Sequence, residues 1–138
     1  MEDAVKNEAR KFVRSAGALF FITTEENAPV PRVVSVQKLD DDFTVWIATN
    51  GASRKVRQIS ANPNVALAVQ KDAEICTILG SAEIVRDAAV RARFWKDDFV
   101  RMYPGGKDDP NFTIIKVTPK NVRYINMKKY GFEPKELV

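Results

Sequence analysis

The stretch Phe43-Thr44-Val45-Trp46-Ile47-Ala48-Thr49-Asn50-Gly51-Ala52-Ser53-Arg54-Lys55 decides how this chain is read. Its first seven residues are an apolar run rich in β-branched and aromatic side chains, the pattern of a strand. Asn50-Gly51 turns the chain, and Ser53 opens a short helix predicted to end near Ala61. A helix start leaves backbone N–H groups unpaired and carries the positive end of the helix dipole. Arg54 and Lys55 stand in that first turn, where the dipole gives cations no help. Their placement points to an anion held by the folded chain, with phosphate as the first candidate. The competing reading is an ordinary serine cap followed by surface cations.

Totals narrow the classes. The chain has 138 residues, enough for one domain with a real core. Hydrophobic residues make up 45% and charged residues 29%, an ordinary globular balance. The net charge of +4 comes from 22 basic and 18 acidic residues that alternate along much of the chain. That is no nucleic-acid footprint, and the aromatic interleaving of a base-stacking surface is missing. Lys128, Lys129 and Lys135 read as solvated surface. Histidine is absent, which removes the usual zinc sites, serine–histidine and cysteine–histidine nucleophiles, and histidine-ligated haem. The single cysteine, Cys76, lies in an apolar run and reads as a small core residue. No segment has the apolar length of a membrane span, and no signal-peptide pattern opens the sequence, so the expected location is the cytoplasm.

Working outward, Glu2 to Ala16 places Val5, Ala9, Phe12, Val13 and Ala16 on one helical face, and Gly17 ends that helix. Ala18 to Thr24 reads as a buried strand, followed by a loop from Glu25 to Pro29. Pro31 to Leu39 alternates as a strand and turns at Asp40-Asp41-Asp42 into the strand Phe43 to Thr49. After the short helix, Asn62-Pro63 is a stop. Val65 to Val69 and Ile75 to Val85 are strands, with Gly80 marking a bulge or a close approach. Asp87 caps a helix whose apolar residues Ala88, Ala92, Trp95, Phe99 and Met102 recur at helical spacing. Tyr103 to Pro110 is a loop, and Phe112 to Val117 with Val122 to Ile125 make the last strand, bent at Pro119. Six strands with hairpin-like connections and three helices predict a mainly β fold, an antiparallel barrel with peripheral helices. There is no Gly-x-Gly-x-x-Gly and no Gly-Lys-Ser/Thr phosphate loop.

The order of Pro31-Arg-Val-Val-Ser-Val36, Val45-Trp-Ile-Ala-Thr-Asn50, Ser53-Arg-Lys55 and Asn62-Pro-Asn-Val65 resembles the FMN-binding split-barrel superfamily of pyridoxamine 5′-phosphate oxidase. Tyr103-Pro-Gly-Gly-Lys-Asp-Asp-Pro110 and the closing strand look most like its small bacterial general-stress-protein branch. The resemblance covers Leu19 to Ile125. It implies one domain over residues 1–138, with an N-terminal helix (1–16), a six-stranded split barrel (18–125) and a C-terminal tail (126–138). It also implies a homodimer with FMN at the subunit interface.

Carried to matching positions, Arg32 and Lys55 would bind the FMN phosphate, and Thr49, Ser53 and Arg54 would add hydrogen bonds or charge around it. The backbone of Val33, Val34 and Ser35 would face the polar edge of the flavin, with Asn50 and Gln37 nearby. For Arg32 the plain alternative is an edge-strand charge facing water. Trp46 reads as core, and Trp95 and Phe99 as helix-to-barrel packing.

Departures limit what the resemblance carries. The oxidase has Lys at the position of Gln37 and a flavin-contacting Gln near Ile75, and its substrate-binding C-terminal segment has no counterpart after Ile125. The cofactor site is thus expected to be kept and the vitamin site lost. The expected function is a flavin-dependent oxidoreductase with an unidentified small-molecule substrate or nicotinamide donor and no acid–base residue to nominate. The alternatives are a flavin-binding stress or storage protein without turnover, and a split-barrel reductase using a deazaflavin.

Overall fold

The computed structural model describes residues 2–138. Helix α1 (Glu2–Ala16) buries Val5, Ala9, Phe12 and Val13, the face its periodicity predicts, and Gly17 ends it at φ 71°. Strands β1 (Ala18–Glu25) and β2 (Ala28–Ser35) form a tight hairpin through Glu26 and Asn27, whose φ values of 51° and 65° suit a two-residue turn. The expected loop from Glu25 to Pro29 is therefore mostly strand. Pro29, which read as the end of a loop, and Pro31, which read as the start of the strand, are both tolerated because β2 is an edge strand.

Strand β3 is only Lys38–Leu39, so the predicted run from Pro31 to Leu39 breaks at Val36-Gln37. Phe43 adopts φ 69° in the turn after Asp40, which delays β4 to Val45–Asn50. Helix α2 (Arg54–Ala61), β5 (Asn64–Lys71) and β6 (Glu74–Val85) follow as predicted within a residue or two. Next come the short helix α3 (Ala88–Phe94), the long strand β7 (Phe112–Asn126), α4 (Met127–Tyr130) and β8 (Lys135–Glu136). The expected strand count of six rises to eight because β3 and β8 add two two-residue pieces. Residues beyond Ile125, expected as a tail, dock instead: β8 pairs with β7 and Leu137 is buried.

All pairings are antiparallel, in the order β2-β1-β5-β6-β7-β4-β3 with β8 beside β7. β2 and β3 are nearly adjacent in sequence yet stand at opposite ends of this path. The sheet must therefore curl until its ends meet. The junction is thin: Val36 N donates to Gly17 O (2.9 Å) and Gln37 N to Trp46 O (2.8 Å). No ladder joins β2 to β4, so the barrel stays split. The register of β6 against β7 shifts between Leu79 and Gly80, where a Cβ on Gly80 would lie 2.5 Å from the Thr118 carbonyl oxygen.

Inward residues of the strands form the main core, with Phe21, Val45, Ile47, Leu67, Ile78, Ile115 and Tyr124 at its centre. α1 covers the end where β1 begins, and α2 covers the end where β1 finishes. Outside β4 and β7, Trp46, Phe94, Tyr103, Phe112 and Ile114 make a second cluster. Cys76 sits in the main core, where burial pushes its thiol up to about 12 and keeps it protonated. Among the described residues no helix is long and apolar enough to cross a membrane.

Candidate functional site

The split leaves a cleft of about 290 Å³ between β2 and β4. Val33, Val34, Ser35 and Gln37 form one side, Ala48, Thr49 and Lys55 the other, and Phe99, Met102 and Tyr103 the outer rim. Because β2 pairs only with β1, the backbone groups along its other edge have no strand partner and are open to a ligand. Gln37 also has a buried side-chain oxygen with no hydrogen bond.

At the inner end of the cleft stands the start of α2. Gly51 permits the close turn that puts it there: a Cβ at this position would lie 2.5 Å from Thr113 Oγ1. Asn50 Oδ1 accepts from Ala52 N at 2.8 Å, which completes the turn. Ser53 is the N-cap residue, yet its side chain makes no capping bond, and its buried Oγ has no partner. Buried hydroxyls normally find one, so this atom has spare hydrogen-bonding capacity among the described residues.

Two cations gather beside it. Lys55 Nζ donates to Thr49 Oγ1 at 2.8 Å. Arg32 donates to Phe21 O (3.2 Å), Thr23 Oγ1 (2.9 Å) and Gln58 Oε1 (2.7 Å). Neither has a carboxylate partner among the described residues. Burial lowers the pKa of Lys55, and the charge of Arg32 lowers it further. Burial likewise lowers Arg32, with help from the charge of Arg54. Desolvated cations that repel one another destabilise the fold unless an anion compensates them.

The ten residues singled out in the sequence divide here. Val33, Val34, Ser35, Gln37, Thr49 and Lys55 line the cleft; Arg32 and Ser53 do not line it, though Arg32 lies close enough to Lys55 for their charges to repel. Asn50 is exposed with its side-chain oxygen engaged in the turn. Arg54 is drawn away to Glu25, whose carboxyl it holds below its ordinary value.

Phe99, Met102 and Tyr103 were not read as site residues, because the spacing of Trp95, Phe99 and Met102 predicts one continuous helix. The helix stops at Trp95 (ψ 137°), and a 3-10 turn over Asp97–Arg101 redirects the chain across the cleft. Asp97-Asp98 after Lys96 was the available signal, since paired acids favour a new helix start. Asp109 anchors the loop that follows by accepting from Gly105 N and Asn111 N, both at 2.9 Å. Trp95 packs edge-on against Phe112 (5.1 Å), and Trp46 donates to Asp40 Oδ2 at 2.8 Å, so both are packing residues as expected.

The family model described as "Pyridoxamine 5'-phosphate oxidase like" matches residues 4–132. General stress protein 26 of Bacillus subtilis (strain 168) is 28% identical over 109 residues, 75% of this chain and 76% of that protein. Among solved structures, a protein related to general stress protein 26 from Clostridium acetobutylicum superposes with a TM-score of 0.82 at 23% identity. It covers 99% of this chain and 95% of its own. General stress protein 26 from Bacillus anthracis str. Sterne gives 0.79 at 24% identity, covering 96% and 97%. These structures share the split-barrel fold.

Proposed function

Since the chain belongs to the pyridoxamine 5′-phosphate oxidase-like family, we propose that it binds FMN in the cleft, works as a homodimer, and acts as a flavin-dependent oxidoreductase. The observation that carries this is the pair Arg32 and Lys55, desolvated and without carboxylates, beside the unpaired Ser53 Oγ at the start of α2. A phosphate dianion fits that set: two cations, a hydroxyl and the free N–H groups of a helix terminus. The apolar rim of Phe99 and Met102 and the open edge of β2 fit a flat ring with one polar side.

In this reading Arg32 and Lys55 hold the phosphate, Ser53 donates to it, and Thr49 keeps Lys55 in place. The backbone of Val33 to Ser35 and the Gln37 amide meet the polar edge of the ring. Bound flavin would supply the hydride chemistry. Phe99, Met102 and Tyr103 shield the ring from water. The vitamin substrate of the oxidase is not proposed, because Gln37 brings no cation where that enzyme has Lys.

Support for the dimer comes from the outer face of β1 and β2. Phe20 and Val33 are cross-strand neighbours, 54% and 59% exposed, with Leu79 51% exposed nearby on the same sheet. An isologous partner would cover this face and the open side of the cleft. The name of the relatives, general stress protein 26, supports a role in a stress response.

The experiment is to purify the protein from a flavin-replete host and record its visible spectrum, then titrate the flavin-free protein with FMN. No flavin band and no binding would refute the proposal, and tighter binding of a deazaflavin would reassign the cofactor. A flavin-binding role without turnover is the second reading, favoured by a cleft lined by neither carboxylate nor histidine. Reduction of bound flavin by a nicotinamide no faster than free flavin would select it.

A further inference from the structure

Gln58 is 4% exposed on the inner face of α2, one turn after Lys55. An amide in that position costs stability unless it is hydrogen-bonded, and an apolar side chain would pack there without that cost. Its side-chain bonds are all made by the oxygen, and the buried amide nitrogen has no partner among the described residues. Gln58 Oε1 accepts from Thr23 Oγ1 at 2.5 Å and from Arg32 Nη2 at 2.7 Å, while the same Nη2 donates to Thr23 Oγ1 at 2.9 Å. The orientation of the amide is set by chemistry: flipped, its NH₂ would face a guanidinium that can only donate. Thr23 is fully buried, so it cannot swing away.

Three of the five guanidinium N–H groups are thereby engaged, every one by a neutral acceptor. A partly buried arginine such as Arg32 is often paired with a carboxylate. Here the acid at hand, Glu25, pairs with Arg54 instead. A glutamate at position 58 would satisfy Arg32 geometrically and cancel its charge. Glutamine satisfies the geometry and leaves the charge.

We propose that Gln58, braced by Thr23, is a positioning residue that aims Arg32 at the cofactor phosphate while leaving its charge uncompensated. This rests on the flavin reading above. Fixing the long arginine side chain before binding removes the ordering cost that the ligand would otherwise meet.

Wild type, Gln58→Met and Gln58→Glu are to be titrated with FMN and with riboflavin, which has the ring but no phosphate. Gln58→Met is expected to weaken FMN about 2- to 12-fold, the cost of ordering one long side chain on binding. Gln58→Glu, which retains an acceptor for Arg32, is expected to fold and to weaken FMN at least as much. Riboflavin affinity should be unchanged in both. Equal losses for FMN and riboflavin, or wild-type FMN affinity in Gln58→Glu, would overturn the proposal. Should Gln58→Met fail to fold, Gln58→Glu decides alone.

Inorganic phosphate provides a readout independent of flavin. It should raise the melting temperature of wild type and not that of Gln58→Glu. Phosphate stabilisation lost in Gln58→Glu, with no FMN binding by wild type, would retain this role for Gln58 and refute the flavin reading. FMN preferred over riboflavin to the same degree by all three proteins would do the reverse. A wild type indifferent to both probes would refute both.

Discussion

Replacing Lys55 by methionine is expected to move affinity and stability in opposite directions. In the flavin-free protein Lys55 is partly buried, has Thr49 Oγ1 at 2.8 Å as its one hydrogen-bond partner, and feels the charge of Arg32. Methionine keeps the length and most of the packing. It removes one neutral-acceptor hydrogen bond, worth about 1 kcal/mol net, and also removes a desolvated charge and its repulsion. These terms oppose each other, so the flavin-free variant should lie within about 1 kcal/mol of wild type, displaced toward greater stability. With FMN bound, the lysine instead makes a charge-assisted bond to a dianion, worth about 1.5–3 kcal/mol. Its loss weakens FMN about 12- to 160-fold at 25 °C. Urea unfolding of the flavin-free proteins measures the first effect, and quenching of flavin fluorescence measures the second, with riboflavin as the phosphate-free control. A variant destabilised by several kcal/mol, with FMN and riboflavin affinities falling together, would show that Lys55 is a structural residue and refute the phosphate assignment.

The lowered pKa of Lys55 has a pH consequence of definite sign. The unfolded chain binds more protons than the flavin-free fold between the depressed value and the ordinary 10.5, so stability should rise with pH across that window. Bound phosphate favours the protonated lysine, so FMN affinity should fall across the same window, and Lys55→Met should abolish both trends. Asp109, whose carboxyl is lowered by bonds from the Asn111 and Gly105 N–H groups, acts in the other direction. Its contribution is present above the ordinary aspartate value and is lost as pH falls below it; Asp109→Ala should loosen the Tyr103 loop and remove that acid sensitivity, read by hydrogen exchange. Gly80→Ala forces a Cβ to 2.5 Å from the Thr118 carbonyl and 2.8 Å from Val117 Cγ1, and should cost about 1–3 kcal/mol in denaturant unfolding. Phe20→Arg places a charge on the exposed apolar face and should shift a dimer toward monomer in analytical ultracentrifugation, with little change in the unfolding of the monomer.

Local periodicity alone was enough for α1, where Val5, Ala9, Phe12 and Val13 form one stripe, and for the runs that became β1, β4, β5 and β6. Each signal lies in consecutive residues, and burial of the apolar face only reinforces it. The cap at Asp87 was legible for the same reason: its carboxylate reaches Ala89 N and Val90 N, two and three residues on. Arg54 and Lys55 marked the start of α2 as a candidate anion site by standing against the helix dipole. Which of them faces the cleft was not in the sequence, because Glu25, 29 positions away from Arg54, draws one of the two off.

Tertiary structure decided the rest. Pro29 read as loop until the pairing order made β2 an edge strand. Trp95, Phe99 and Met102 kept helical spacing across a break that only packing on Phe112 explains. The cleft itself exists because β2 and β3, two residues apart in the chain, lie at opposite ends of a curled sheet, a property of no local segment. Thr23 and Gln58, 35 residues apart, had no local mark as partners of Arg32. Sequence patterns encode what neighbours along a helix or strand do to one another; the closure of the sheet places distant residues around one guanidinium, and that contact is set by the packing of the whole barrel.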